Sequence, residues 1–195
     1  MNSDLDFTNP VVIVVVVAVA LLLVAAGVTL VLRNRRRRSE NLRQRFGPEY
    51  DRLLRQTNSR KDAEAKLEAR EKRVELLKIH DLKPAERTQF LAAWDVVQSR
   101  FIDHPRGAVI EADELVSSLL QARGFPAERF EQRAADLSVD HAQLVESYRA
   151  ANEIVARAGK DAASTEELRV AMRYYHRLFE ELLQAETYPE LKKAV

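Results

Sequence analysis

The hydrophobic pattern of the chain changes abruptly after Leu32. The run Val11–Leu32 contains no charged, amide or histidine side chain, whereas charged and apolar residues are interspersed along the rest. A helix over this run would be roughly 33 Å long at about 1.5 Å per residue, and the apolar core of a bilayer is roughly 30 Å thick. The run therefore predicts a transmembrane helix, with Pro10 at its N-terminal end, where proline is tolerated.

Beyond this run, apolar residues recur at spacings of three and four, which is the period of an amphipathic helix. No segment alternates at period two, and no Asn-Gly or Asp-Gly hairpin turn occurs. The predicted fold class is all-α: a single N-terminal transmembrane helix followed by a charged helical linker and a multi-helix bundle-like domain. The predicted segments are a short extracytoplasmic N-terminus (1–10), the transmembrane helix (11–32), the basic and charged helical linker (33–81), the helical domain (82–185) and a frayed tail (186–195).

Residues with a preference for caps and turns mark the ends of the predicted helices. Gly47-Pro48 is expected to restart the chain after a short basic helix, and Pro126 to open a short helix near its first turn. Two pairs have the spacing of a capping box and two glycines suit helix C-termini: Ser59 with Asp62, Ser164 with Glu167, Gly124 and Gly159.

Broad apolar stripes predict the core of the domain. On the helix that follows Pro84, Leu91 and Ile102 are expected to widen the buried face. Two later helices carry the other broad faces: Val109, Ala112, Val116, Leu119 and Leu120, then Leu168, Ala171, Met172, Tyr175, Leu178, Phe179 and Leu182. Six aromatic residues are predicted to meet in one buried cluster: Phe90, Trp94, Phe101, Phe130, Tyr148 and Phe179.

The helix predicted over 59–78 is the most charged of the set. Its apolar stripe consists of Ala63, Leu67, Val74 and Leu77 alone, and Arg70 interrupts it. So narrow a stripe buries little surface, and about three heptads with an arginine in the seam make a poor coiled coil. We therefore expect this helix to lie loosely on the bundle or to stand as a stalk, without dimerising.

Five arginines, Arg33, Arg35, Arg36, Arg37 and Arg38, follow the apolar run, and no basic residue precedes it. Basic residues near a span stay in the cytoplasm, so the N-terminus is predicted outside and the domain inside. A cleaved signal peptide is disfavoured because the run is long and Asp4 and Asp6 stand where a positive region is needed. The arginines are sufficient as a stop-transfer signal; binding of anionic lipid headgroups is the sharper alternative.

Composition narrows the remaining classes of function. After Arg38 the chain carries 26 basic and 28 acidic residues, so it lacks the basic excess of a nucleic-acid-binding domain. The absence of cysteine excludes a disulfide framework and a thiol nucleophile, and it fits a reducing cytoplasm. The predicted location is the bacterial inner membrane, with a single span and a cytoplasmic C-terminal domain.

No catalytic constellation stands out among the polar residues. Three histidines adjoin an aspartate (His80-Asp81, Asp103-His104 and Asp140-His141), but neighbours on a helix do not face each other and all three pairs lie at predicted helix boundaries. We therefore expect neither a metal site nor a cofactor. The best candidates for a dispersed polar site are Asp113, beside an apolar stripe, His141, and Tyr174, which is flanked by arginine and core positions.

Three stretches resemble a domain of uncharacterised bacterial proteins that often follows a single N-terminal hydrophobic segment. They are VQSRFIDHPRGAVIEADELVSSLLQARGFP, FEQRAADLSVDHAQLVESYRAANEI and STEELRVAMRYYHRLFEELL. The resemblance covers about residues 84–183. It implies a helical, membrane-associated bacterial protein, and it implies no activity, cofactor or catalytic residue.

Two interpretations of function follow from these patterns. A membrane-tethered interaction or scaffold module, which brings a protein partner to the membrane, is favoured because no catalytic constellation is present. The alternative is an enzyme or small-ligand-binding domain whose site is assembled from several helices. A deep polar pocket at Asp113, His141 or Tyr174 would favour the second interpretation, and an exposed apolar patch would favour the first.

Overall fold

The chain is helical along nearly all of its described length. The computed structural model describes residues 10–160 and 162–184, with side chains described at Val14 and from Val16 onward. Within these ranges no strand occurs, and eight helices follow one another: α1 (Pro10–Phe46), α2 (Pro48–Thr57), α3 (Arg60–Glu75), α4 (Pro84–Arg100), α5 (Pro105–Ala122), α6 (Phe130–Leu137), α7 (Ala142–Ala158) and α8 (Thr165–Gln184). The predicted all-α class is confirmed, with one long apolar N-terminal helix. The expected frayed tail lies outside the described residues.

Helix α1 continues from the apolar run through the arginines without a break. The large apolar side chains described between Val14 and Leu32 are 49–69% exposed. Such a surface is unfavourable in water, whereas a helix satisfies its backbone groups internally and is stable in lipid. By length and composition, α1 can cross a membrane.

Contacts divide the chain into two compact units, Met1–Gln44 and Arg45–Val195. The predicted break at Gly47-Pro48 is confirmed. Gly47 has a φ of 46°, which favours a residue without a Cβ, and Pro48 opens α2.

Helices α2 and α3 form a hairpin, here called the α2–α3 hairpin (Pro48–Glu75). Asn58 turns the chain in the left-handed conformation, and the Ser59 hydroxyl accepts a hydrogen bond from the Asp62 N–H at 3.3 Å, as its spacing predicts. Ala63 and Leu67 are fully buried. The hairpin contacts α6 and α7, so its packing differs from the loose association or free stalk expected for so charged a helix.

Helices α4–α8 form the bundle, with α8 packed against α5 and α7. The inward faces predicted for α5 and α8 are confirmed, since all of their stripe residues are buried. The Ser164–Glu167 capping box is also present, with both side chains bonded to each other's backbone N–H. Gly124 has a φ of 95°, and a Cβ there would collide with the Lys78 carbonyl, so the segment between α3 and α4 crosses the end of α5 closely.

Three expectations about the bundle are corrected. Leu91 and Ile102 lie 46% and 85% exposed instead of widening the core face, because Leu91 is on the outward side of α4 and because α4 ends at Arg100, which leaves Ile102 in the turn that follows. Helix α6 begins at Phe130 instead of Pro126, since Phe125 is drawn into the core and the chain becomes helical only after Arg129. The aromatic cluster exists, but Phe90, Phe101 and Phe130 are only partly buried at its edge.

Candidate functional site

A polar centre lies inside the bundle between α5 and α8. The Tyr175 hydroxyl, on a fully buried side chain, donates a hydrogen bond to Asp113 Oδ1 at 3.1 Å. Burial raises the pKa of Asp113, and the hydrogen bond from Tyr175 and the positive charge of Arg133 oppose that rise.

Tyr148 on α7 extends this centre. Its side chain is 1% exposed, its ring meets the Tyr175 ring edge-on at 6.1 Å, and burial raises its pKa to about 12. Its hydroxyl and the Nε of Arg133 are buried without a hydrogen-bond partner among the described residues. Both tyrosine hydroxyls therefore stay protonated at neutral pH. They place hydrogen-bond donors inside an otherwise apolar core.

His141 lies at a second place, before the first turn of α7. Its Nδ1 is 3.6 Å from Glu181 Oε1 on α8. Burial lowers the pKa of His141, and the charges of Glu181 and Asp140 oppose the shift. An open cavity of about 340 Å³ adjoins this pair, lined by Arg45, Asp140, His141, Ala142, Gln143, Leu144, Arg177 and Glu181.

Tyr174 belongs to neither place. It is half-buried against the edge of the core, next to the fully buried Tyr175. The structure gives no contact that joins Asp113, His141 and Tyr174 among the described residues, so the three candidates occupy separate environments. Their use in one dispersed site stays a prediction.

Sequence reasoning missed a buried ion network between the α2–α3 hairpin and the bundle. Glu49 on α2 is 4% exposed, and its Oε1 accepts from Arg70 at 3.0 Å and from Arg149 at 3.2 Å. Arg70 also donates to the Ser138 hydroxyl at 3.1 Å. The signal in the sequence was Arg70, which interrupts an otherwise apolar stripe.

A second buried carboxylate completes the attachment of α3. Asp136 on α6 is 1% exposed and accepts from Arg73 Nε at 3.0 Å and from Gln132 at 2.7 Å. Hydrogen bonding to Asp136 raises the pKa of Arg73 further above its ordinary value. Because the carboxylates of Glu49 and Asp136 are each paired with arginines, the network fixes the hairpin and does not resemble a reactive site.

The five arginines after the apolar run, here called the arginine collar (Arg33, Arg35, Arg36, Arg37 and Arg38), are exposed on α1. No ion pair joins Arg33, Arg35, Arg36 or Arg37 to an acidic side chain among the described residues. The charge of these four arginines therefore has no acidic counterpart in the part of the chain that the structure describes.

Neither metal-binding geometry nor a known relative identifies the site. Within residues 10–160 and 162–184, no group of three histidine or carboxylate side chains is placed to hold a metal ion. Comparison of the chain with protein-family models, with curated proteins and with solved structures finds no match in any of the three.

Proposed function

We propose that the chain is a single-pass membrane protein of the bacterial inner membrane whose helical domain, in the cytoplasm, binds a protein partner. The observation that carries the proposal is the exposed apolar part of α1, which five exposed arginines follow within the same helix. An exposed apolar surface of this length suits a bilayer, and basic residues are retained on its cytoplasmic side. The described domain contributes no arrangement of groups typical of a catalyst.

Orientation is tested with reporters at the two ends of the full chain. An enzyme that is active only outside the cytoplasm should be silent when it is fused after Val195, because the arginine collar holds that side in. The same enzyme fused before Met1 is the matched control and should be active. A strong signal from the C-terminal fusion would contradict the proposed topology.

Exposed apolar side chains on α4 and in the turn after it support the interaction role. Leu91 and Val96 on α4, and Ile102 in the turn, are 46%, 50% and 85% exposed, although apolar side chains of this size favour burial. A protein partner would remove such side chains from water.

Photo-crosslinking in native membranes tests this role. A crosslinking residue at position 102 should give a discrete adduct, and one at the exposed Arg173 on α8 should not. The adduct should disappear when Leu91→Asp is added, because a charge on the contact face costs desolvation. Equal labelling at both positions would contradict the assignment of α4.

A small-ligand site is the second candidate, and the cavity beside His141 is the observation that favours it. Its lining combines guanidinium, imidazole and carboxylate groups, which suits a small polar molecule that carries charge. A thermal-shift screen of such molecules should give stabilisation that Arg177→Ala removes and Arg173→Ala keeps. No stabilisation by any of them would leave the interaction role alone.

A further inference from the structure

We infer that the arginine collar binds anionic phospholipids in the leaflet on the side of the helical domain. The inference rests on the proposed function, since it requires α1 to span a bilayer. It goes beyond anchoring, because an apolar helix alone would not distinguish one headgroup from another. The ligand is defined by its chemistry: a lipid phosphodiester that keeps a net negative charge.

The position of the collar along α1 matches the depth of the lipid headgroups. The apolar run spans roughly 33 Å, about the thickness of the hydrocarbon core, so Arg33 falls where that core ends. From Arg33 to Arg38 the helix rises roughly 7.5 Å further. The headgroup layer is roughly 5–8 Å thick on each side. Because α1 continues unbroken to Phe46, the helix holds the whole collar at this depth.

The arginines of the collar are distributed around the whole circumference of α1. At about 100° per residue, the five side chains leave no gap wider than about 100° around the axis. A one-sided stripe would suit a protein partner, which approaches from one direction. Lipids surround a membrane helix on all sides, and an encircling set of cations suits them.

The side chains of the collar are suited to binding phosphate groups. Every basic residue in it is an arginine, and a guanidinium binds phosphate oxygens through two parallel hydrogen bonds. Arg33, Arg35, Arg36 and Arg37 have no acidic partner in the described chain that would compete with a phosphate. A zwitterionic headgroup offers the same phosphate beside its own cation, so the preference should be for lipids of net negative charge.

Lipid association of the full chain in bilayers tests the inference. The chain is reconstituted in phosphatidylcholine bilayers that contain a spin-labelled lipid, either phosphatidylglycerol or phosphatidylcholine, and the motionally restricted fraction is measured by electron paramagnetic resonance. One basic residue near an anionic surface favours association about fivefold. We expect phosphatidylglycerol to be preferred by at least about fivefold at 0.15 M salt, and the preference to fall in 1 M salt, where the Debye length is about 3 Å.

Two matched variants locate the effect. Changing Arg33, Arg35, Arg36 and Arg37 to Gln should reduce the preference to about one. Changing the exposed Arg87, Arg129, Arg169 and Arg173 to Gln removes the same charge from the domain and should leave the preference intact.

The outcomes separate the two proposals. Restricted lipid without a headgroup preference, or a preference that both variants keep, would overturn the inference and leave the membrane anchor standing. The absence of restricted lipid of either kind would overturn the anchor, and the lipid preference with it.

Discussion

The α2–α3 hairpin and the α4–α8 bundle are both well buried, but different interactions hold them. In the bundle, a continuous apolar cluster extends from Trp94 to Leu183. The buried apolar residues of the hairpin lie outside that cluster: Tyr50, Leu53, Ala63, Leu67 and Val74. Between the hairpin and α6 and α7, the buried groups include Glu49 and Asp136 with their arginine partners.

The difference shows how a highly charged segment can be a fixed part of a domain. Apolar burial is non-directional and roughly proportional to area, so it tolerates small changes of orientation. A buried ion pair costs desolvation that its attraction barely offsets, but removing one partner leaves an uncompensated charge. We therefore expect the network around Glu49 to fix where the hairpin sits more than it adds to net stability.

The largest effect is expected for Trp94→Ala in the bundle. The Trp94 ring stacks on Phe179 at a centroid distance of 4.7 Å and is 3% exposed. Truncation of a buried aromatic residue costs about 3–5 kcal/mol, which corresponds to a loss of about 6–20 °C in melting temperature. Thermal unfolding of the full chain in detergent measures it, with Leu91→Ala on the exposed face of α4 as the control. A shift of a degree or two would place Trp94 outside the core.

The next effect is expected for Glu49→Gln at the hairpin. The change leaves the buried Arg70 without a carboxylate and leaves Arg149 with only the exposed Glu131, at a cost of about 3 kcal/mol. Chemical denaturation measures the loss, and Glu75→Gln on the exposed side of α3 is the matched control, which should be neutral. Equal behaviour of the two variants would show that the buried network contributes nothing.

Replacing the whole network sharpens the same comparison. A variant with Glu49→Leu, Arg70→Met and Arg149→Met removes the three buried charges together, and the partners that remain, Arg52 and Glu131, are 32% and 72% exposed. Because apolar replacement of a buried ion network is often neutral or stabilising, the variant should recover most of the stability that Glu49→Gln loses. A further loss on top of that of Glu49→Gln would mean that the ion pairs themselves supply net stability.

A smaller effect is expected for Ser59→Ala at the start of α3. Loss of the cap leaves the Asp62 N–H without its acceptor, which costs about 1 kcal/mol. Circular dichroism during urea denaturation measures it. Ser99→Ala, at an exposed position inside α4, is the control and should change stability little.

The smallest effect is expected for Asp113→Asn, and it depends on pH. The folded-state pKa of Asp113 lies above its unfolded value because burial disfavours the carboxylate. Wild-type stability from this group is therefore fully present below the unfolded pKa and is lost as pH rises through the folded pKa. Asparagine keeps an acceptor for the Tyr175 hydroxyl and does not ionise. The stability of the variant relative to the wild type, measured by thermal unfolding, should therefore increase between about pH 4 and 7. A stability difference that stays constant across that range would contradict the raised pKa of Asp113.

Several helix ends could be predicted because their causes are local, although the start of α6 could not. Ser59, Ser164 and Gly124 act through residues within four positions, and the structure contains each of these caps and turns. The wide apolar stripes of α5 and α8 were equally clear, because a helix that buries one broad face shows it in its own period. The helical period predicted an inward Ile102, but α4 ends at Arg100, so that period no longer applies at position 102.

The ion network could not be predicted, because its members are far apart along the chain. Glu49 and Arg149 are 100 residues apart along the chain. In the sequence, neither can be distinguished from the many charged residues of the surface. Glu49 lies in the first turn of α2, where the helix dipole favours acidic residues whatever they contact, so its position in the sequence does not indicate burial. The polar centre at Asp113 could be predicted only in part. The sequence places Asp113 beside an apolar stripe, but it gives Tyr175 only as a core residue and not as the hydrogen-bond partner of Asp113.

Hydrogen exchange of the full chain in detergent, read by mass spectrometry, tests most directly whether the Glu49 network holds the hairpin to the bundle. In the wild type, amides of α3 near Leu67 should exchange far more slowly than in an unfolded chain. The free energy of the local opening that exposes them should be lower than that for α5 near Val116. Glu49→Gln should speed exchange in α2 and α3 by about a hundredfold, as expected for about 3 kcal/mol, and leave α5 unchanged. Exchange of α3 at the unfolded rate in the wild type, or an equal acceleration of α3 and α5 in the variant, would contradict the account.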